Sequence, residues 1–148
     1  MTRFVPDTSV MVAAVCSWHE HHELAASELE RRLARKEMLI VAAPALIETY
    51  AVLTRLPPPH RLAALDGRTL LEANFLAGHK LIALGEADYR LLVVDASTQG
   101  VIGGRTYDWV IAACATKAKA AVLLTFNPRD FDSMALASLE IRVPGGAT

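Results

Sequence analysis

Residues 4–15 read FVPDTSVMVAAV, an apolar stretch interrupted only by Pro6, Asp7, Thr8 and Ser9. The pattern predicts a short strand, Arg3–Pro6, and a helix that begins at Thr8 with Asp7 placed to cap it. Stretches this apolar are usually buried, and an unpaired buried carboxylate costs several kcal/mol or becomes neutral. Asp7 is therefore either an ordinary helix cap or one ligand of a bound cation.

Two further carboxylates stand alone in apolar stretches. Glu48 lies within VAAPALIETYAVL at residues 41–53, and Asp108 lies within YDWVIAACA at residues 107–115. Asp108 has an alternative role at a helix dipole, and Glu48 has a possible partner in Arg55 two turns along the same helix. The economical interpretation is that Asp7, Glu48 and Asp108 converge and a divalent cation neutralises them.

Strands alternate with helices along the whole chain. This order predicts an α/β fold in three layers, with a central, mainly parallel sheet flanked by helices. The expected strands are Arg3–Pro6, Met38–Val41, Lys80–Leu84, Ala121–Thr125 and Glu140–Val143. One helix is expected to begin at Thr8, and others to cover Trp18–Lys36, Pro44–Arg55, Glu86–Ser97 and Thr106–Lys119. Residues His60–Leu76 are expected to form one or two helices, broken near Asp66–Gly67. Leu24, Leu29 and Leu33 are the expected inner face of the helix Trp18–Lys36.

Ligands of such folds bind outside the carboxyl ends of the strands. Asp7 follows the first strand directly, and Asn127 and Asp130 follow the strand Ala121–Thr125. Oxygen ligands of this kind suit Mg²⁺, and two such ions can flank a phosphodiester. We expect Thr8, Ser9, Thr125 and Asn127 to orient the carboxylates or bound waters.

The composition sets limits on the class of protein. The 148 residues are 53% hydrophobic and 21% charged, with a net charge of −1, so we expect one ordered domain over residues 1–148 with a flexible tail at 144–148. The charge balance offers no global signature for nucleic acid, so any such contact needs a local patch. The sequence shows no signal peptide and no membrane-spanning run, and Cys16 and Cys114 suit a reduced core. We therefore expect a cytoplasmic protein with no membrane partner.

Four motifs in order resemble those of PIN-domain nucleases. They are VPDTSV at residues 5–10, PALIETYAVL at 44–53, GRTYDWVIAACA at 104–115 and LLTFNPRDF at 123–131. The resemblance covers essentially the whole chain, and the small size resembles the VapC-type toxins of bacterial toxin–antitoxin pairs.

The resemblance implies a PIN-like fold and a Mg²⁺- or Mn²⁺-dependent endoribonuclease that leaves a 3′-hydroxyl and a 5′-phosphate. It also implies a homodimer neutralised by a cognate antitoxin. Single-stranded loops are the usual sequence-specific targets of RNA-binding proteins, so we expect a loop of transfer or ribosomal RNA as the substrate. Asp7, Glu48 and Asp108 match the metal-binding acids of the family. Many PIN domains have Asp where this chain has Asn127, so Asp130 is the candidate for the fourth catalytic carboxylate.

Several alternatives remain open on the sequence. Arg31, Arg35, Arg105 and Arg129 are candidate RNA contacts, or else they offset local acidic charge. His19, His21 and His22 suggest a solvated helix start more than a zinc site. The chain is alternatively a PIN nuclease of RNA maturation, or a degenerate PIN domain that binds RNA or protein without catalysis.

Overall fold

Five short strands form one sheet in the computed structural model, which describes residues 1–132, 134, 136 and 138–146. The strands are β1 (Arg3–Pro6), β2 (Met38–Ala42), β3 (Lys80–Ile82), β4 (Val122–Leu124) and β5 (Glu140–Arg142). All five lie within a residue or two of the expected positions. The pattern of short apolar runs therefore located the sheet correctly.

Six α-helices connect the strands in the described part of the chain. They are α1 (Thr8–Val15), α2 (His22–Ala34), α3 (Ala43–Arg55), α4 (Ala64–Leu71), α5 (Glu86–Gln99) and α6 (Arg105–Lys117). A π-helical turn, Glu72–Leu76, continues α4, and a 3₁₀ turn, Pro128–Phe131, follows β4. Helices α2 and α6 pack against the sheet, which confirms the α/β fold with a helix-flanked sheet.

The strand order is β3-β2-β1-β4-β5, and all neighbouring pairs are parallel. The chain first builds outward from β1 through β2 to β3, and then returns to the other side of β1 with β4. The order therefore reverses between β1 and β4, where Pro6 pairs with Leu124. This reversal opens a crevice at the carboxyl ends of the two strands, where open parallel sheets bind ligands.

Three details of the expected helices are wrong. Helix α2 begins at His22 because residues 17–21 form turns, and its buried face is Ala25, Glu28, Leu29 and Arg32, whereas Leu24 and Leu33 are exposed. Glu28 and Arg32 can both be buried because their opposite charges lie four residues apart on the same side of the helix. Arg32 Nε is 3.8 Å from Glu28 Oε2.

The expected break near Asp66–Gly67 is also absent, because Gly67 lies inside α4. A Cβ built on Gly67 would lie 3.4 Å from Thr54 Cγ2 and 3.6 Å from the Tyr50 ring. Gly67 therefore faces α3 from within α4, where an added methyl group would make ordinary van der Waals contacts, and it does not mark a helix end.

The core lies along the sheet and includes Phe4, Val5, Leu39, Leu123 and Leu124. In the described residues no helix has the length and apolarity needed to cross a membrane. At the expected flexible tail, Pro144 is buried and Gly146 N donates to Val143 O, while residues 147 and 148 lie outside the described part. Flexibility of that tail stays a prediction.

Candidate active site

Asp7 stands where β1 ends and α1 begins. Its backbone N–H donates to Leu124 O over 2.9 Å, so the residue is fixed beside the end of β4. Its Oδ1 accepts hydrogen bonds from Ser9 Oγ at 2.6 Å and from Val10 N at 3.1 Å, as expected of an N-cap. The side chain is nonetheless only 3% exposed, and burial raises the pKa of Asp7 against the opposing hydrogen bonds.

Two hydroxyl groups connect Asp7 to the loop that follows β4. Ser9 Oγ donates to Asp7 and accepts from Phe126 N at 3.1 Å. Thr125 Oγ1 also hydrogen-bonds Asp7 and accepts from Asn127 N at 2.9 Å. The hydroxyls therefore fix the orientation of the carboxylate relative to both strands at the topological reversal.

Asp7, Glu48, Asp108 and Asp130 line a single cavity of about 560 Å³ at this edge of the sheet. Glu48 comes from α3, Asp108 from the first turn of α6, and Asp130 from the 3₁₀ turn after β4. Asn127 lines the same cavity. The fold therefore brings together the four carboxylates that the sequence singled out.

Burial was expected for Asp7, Glu48 and Asp108, and it is correct for Asp7 alone. Glu48 is exposed, and Asp108 and Asp130 are half-buried. The apolar neighbours of Glu48, such as Ala45 and Leu53, face the core, so the apolar sequence context describes the opposite side of α3. Arg55 forms no ion pair with Glu48 among the described residues, although both line a neighbouring groove.

The electrostatic coupling of the acids is clearest at Asp108. Burial and the negative charges of Asp130, Asp7 and Glu48 raise the pKa of Asp108 to about 7, against the opposing charge of Arg105. Carboxylates from four different elements therefore repel one another through the cavity. A cation placed between them would remove this penalty.

The donor set suits a hard divalent cation, because it consists of carboxylate oxygens with hydroxyl and amide oxygens beside them. Thr8 Oγ1 lines the cavity, is buried and has no hydrogen-bond partner in the described residues, as a group awaiting a bound water or substrate would be. No three His, Cys, Asp or Glu side chains among those residues already form a metal-ligand group.

The arginines predicted to bind RNA have different surroundings. Arg105 Nε donates to Asp130 O at 3.1 Å, and its NH2 donates to Asp132 O, so this side chain holds the 3₁₀ turn. Arg31 pairs with Glu28, and Arg35 NH2 lies 3.1 Å from Glu37 Oε2. Arg129 lies within the same turn and is exposed. A direct RNA contact by these residues stays a prediction.

Sequence reasoning missed the ring side chains of the cavity. His19, His21, Tyr107 and Phe126 line it together with the acids, and the His21 and Phe126 rings stack with centroids 4.6 Å apart. The sequence contains the run His19-Glu20-His21-His22, but it does not show where these side chains lie. The turns of residues 17–21 place them near the end of β4. The unusual density of histidine beside the first motif was the one available signal.

A family model described as the PIN domain matches residues 4–136 of this chain. Ribonuclease VapC40 of Mycobacterium tuberculosis is 38% identical over 138 residues, which cover 93% of this chain and 96% of that protein.

Solved structures show the same fold at lower sequence identity. VapBC2 of Rickettsia felis bound to a promoter DNA fragment matches with a TM-score of 0.68 at 20% identity, covering 96% of this chain and 98% of that one. VapC20 of Mycobacterium tuberculosis, described as a sarcin-ricin loop cleaving toxin, matches with a TM-score of 0.68 at 16% identity, covering 94% and 98%.

Proposed function

Because this chain belongs to the PIN-domain family and is a homologue of the VapC ribonucleases, we propose that it is a metal-dependent endoribonuclease toxin neutralised by a cognate antitoxin. Its substrate is RNA, with an exposed loop of transfer or ribosomal RNA as the expected target. The observation that carries the proposal is the cavity lined by Asp7, Glu48, Asp108 and Asp130 at the carboxyl end of the sheet.

Asp7, Glu48 and Asp108 are the residues proposed to hold Mg²⁺ or Mn²⁺, with Asp130 as the fourth catalytic carboxylate. A bound divalent cation supplies Lewis acidity, which lowers the pKa of a water and offsets the charge of the phosphodiester. Asp7 is already positioned for this role, because Ser9 and Val10 hold its Oδ1. Thr125 adds a third hydrogen bond to the same carboxylate and carries Asn127 beside it.

Asp108, one of the three proposed metal ligands, also responds to pH when no cation is bound. The pKa of Asp108, raised to about 7 by burial and neighbouring charge, lets this carboxyl exchange a proton near neutral pH while no cation is bound. Among the neighbouring charges Asp130 contributes most to that repulsion, and its backbone carbonyl accepts a hydrogen bond from Arg105. Neither a covalent nucleophile nor a histidine base is required for water to attack a phosphodiester here.

Two exposed apolar faces indicate that the protein binds protein partners. Leu46, Ile47, Tyr50 and Leu65 line a groove between α3 and α4, with Ile47 68% and Leu65 67% exposed. Leu91, Val93 and Val94 are exposed on α5. Exposed apolar patches mark interaction surfaces. We propose an antitoxin and a second copy of this chain as the partners, since the matching VapBC2 structure is of a toxin with its antitoxin.

The test is cleavage of total RNA by the purified full chain with Mg²⁺, with Mn²⁺ and with EDTA. Asp7→Asn keeps an N-cap acceptor and Asp108→Asn keeps the side-chain volume, so both isolate the loss of charge. Asp66→Asn is the matched control, because Asp66 is exposed in the first turn of α4. We expect discrete, metal-dependent fragments with 5′-phosphate ends, reduced about 10²-fold or more in the first two variants and unchanged in the third.

Fragments that persist in Asp7→Asn would point to a contaminating nuclease and contradict the proposal. Absence of cleavage with either metal, in protein shown by mass spectrometry to carry no antitoxin, would favour a PIN domain that only binds. A nuclease that is active but not inhibited by the small protein encoded beside it would favour RNA maturation. The neighbouring gene product therefore belongs in the same experiment.

A further inference from the structure

Five ring side chains form a continuous row beside the acidic cavity. Their order is His60, Trp18, His19, His21 and Phe126, a set called the aromatic row below. The Trp18 and His60 centroids are 4.1 Å apart in a stacked pair, and the His21 and Phe126 centroids are 4.6 Å apart in a second one. Tilted contacts of 5.8 Å from Trp18 to His19 and 5.7 Å from His19 to His21 join the pairs.

The row has an inner end and an outer end. Phe126, His21 and His19 line the same cavity as the four carboxylates. At the other end Trp18 is 46% exposed, whereas Trp109, the second tryptophan of the chain, is 8% exposed and donates to Leu92 O. A row that served only to fill space would bury its largest ring. The aromatic row instead leads from the acids to the protein surface.

The segment that carries the central rings is held in place by its own hydrogen bonds. His19 N donates to Cys16 O at 2.9 Å, and His21 N donates to His19 Nδ1 at 3.0 Å. His22 Nδ1 lies 2.8 Å from Ala13 O, which ties the segment to α1. The rings are therefore ordered before any ligand arrives, which lowers the entropic cost of binding.

Charge alone does not explain how an RNA strand would remain beside this site. Five carboxylates line the cavity and repel phosphates, because Glu20, exposed next to His21, joins Asp7, Glu48, Asp108 and Asp130 there. Aromatic rings attract nucleobases without regard to phosphate charge, and they bind every base because each has a flat π-face. Such stacking requires unpaired bases, which single-stranded loops provide and duplexes do not.

We propose that the aromatic row is a stacking track for unpaired nucleobases of the RNA, with Trp18 and His60 as its outer end. This inference rests on the proposed function, since it assigns the path by which an RNA strand enters the same cavity. The ligand class is single-stranded RNA with little preference for sequence. Duplex RNA does not use the track.

The test measures binding without cleavage. The probe is a short fluorescein-labelled oligoribonucleotide of mixed sequence, single-stranded or annealed to its complement, titrated with Asp7→Asn protein in Mg²⁺. In that background we expect W18A to weaken single-strand binding about tenfold, the scale of one lost stacking contact, and W18F to keep most of the affinity. Duplex binding is expected to stay unchanged. H79A is the control, because His79 lies outside the row and outside the cavity.

Tryptophan fluorescence gives a second readout with the same protein variants. The unlabelled single strand is expected to quench the emission of the Asp7→Asn protein and not that of its W18F variant, which retains only the buried Trp109. Equal affinity in W18A, an equal loss of duplex binding, absence of quenching, or failure of the single strand to bind the Asp7→Asn protein would each overturn the track. Thermal unfolding of W18A and W18F shows whether a loss comes from misfolding.

The outcome for the track is separable from the outcome for the proposed function. Asp7-dependent cleavage of total RNA that W18A leaves intact would keep the nuclease and remove the track. Single-strand binding that depends on Trp18, in a protein without Asp7-dependent cleavage, would keep the track and remove the nuclease.

Discussion

Ser9 Oγ donates a hydrogen bond of 2.6 Å to Asp7 Oδ1. The same hydroxyl accepts from Phe126 N at 3.1 Å, so one small side chain joins the cap of α1 to the loop after β4. Because β1 and β4 border the reversal in strand order, this relationship connects the fold to the acidic cavity.

The first prediction concerns that contact. Ser9→Ala leaves Phe126 N without its acceptor and removes one of the bonds that favour ionised Asp7, so the pKa of Asp7 rises further. We expect unfolding free energy to fall by about 1–2 kcal/mol and metal-dependent cleavage to fall with it. Urea unfolding and RNA cleavage measure the two effects. Ser27→Ala, an exposed serine of α2, is the control, and equal behaviour of the two variants would contradict the prediction.

The second prediction concerns pH. The pKa of Asp108 is raised to about 7, so the folded chain binds a proton more tightly than the unfolded chain does. The stabilisation that comes from protonating Asp108 is complete below the ordinary carboxyl pKa, and it is lost as pH rises through about 7. Asp108→Asn should therefore stabilise the metal-free protein at pH 8, by about 1–2 kcal/mol since the half-exposed site is screened by solvent.

Urea unfolding in EDTA at pH 5 and pH 8 checks this sign. The free energy of unfolding of the variant should exceed that of the parent chain at pH 8. At pH 5 the two should be nearly equal, because Asp108 of the folded parent chain is protonated there. A gain that does not change with pH would show that charge at Asp108 is not the cause. In the parent chain, affinity for Mg²⁺ should fall below pH 7 because protons compete for the same carboxylate.

The third prediction concerns cation binding. Mg²⁺ bound only to the folded chain stabilises it by about 2.7 kcal/mol at a concentration one hundred times the Kd. Glu48→Gln removes one of the carboxylates that line the cavity and should reduce that gain, while raising stability in EDTA because repulsion falls. Thermal unfolding with and without Mg²⁺ measures both effects. Glu30→Gln, an exposed residue of α2, should respond as the parent does.

The fourth prediction separates two arginines. Arg105 donates to backbone carbonyls of the 3₁₀ turn and lowers the pKa of Asp108, so Arg105→Ala should displace Asp130 and raise that pKa further. We expect weaker metal binding, measured by titration calorimetry. Arg129→Ala should leave metal affinity unchanged, since Arg129 is exposed and does not line the cavity. Equal losses in the two variants would show that Arg105 has no separate role in holding the turn.

The fifth prediction concerns Gly67. The residue is helical, and an added Cβ would make contacts of 3.4 Å and longer to Thr54 and Tyr50. Gly67→Ala should therefore stabilise the protein by about 0.5 kcal/mol through a less flexible unfolded chain. A loss of stability in urea unfolding would mean that α3 and α4 pack too closely for a methyl group.

Much of this arrangement follows from local pattern. The run at residues 4–15 predicted β1, the cap at Asp7 and the start of α1, and the alternation of apolar runs and helical stretches predicted a parallel sheet. Short-range rules suffice for these features because a strand, a cap and a helix each depend on a few neighbouring residues. The break expected at Gly67 was wrong because α4 packs there against Thr54 and Tyr50 of α3, a tertiary contact that no local pattern reveals.

Amino-acid order alone determined the elements, their succession and the presence of acids at the carboxyl ends of strands. Tertiary structure decided which acid is buried: Asp7 is enclosed by β1, β4 and α1, while Glu48 projects from the exposed side of α3. It also decided that Asp130 acts on Asp108 and that His19 and His21 enter the cavity. Burial and electrostatic coupling depend on distances between residues far apart in the chain, and only the packed sheet and helices set those distances.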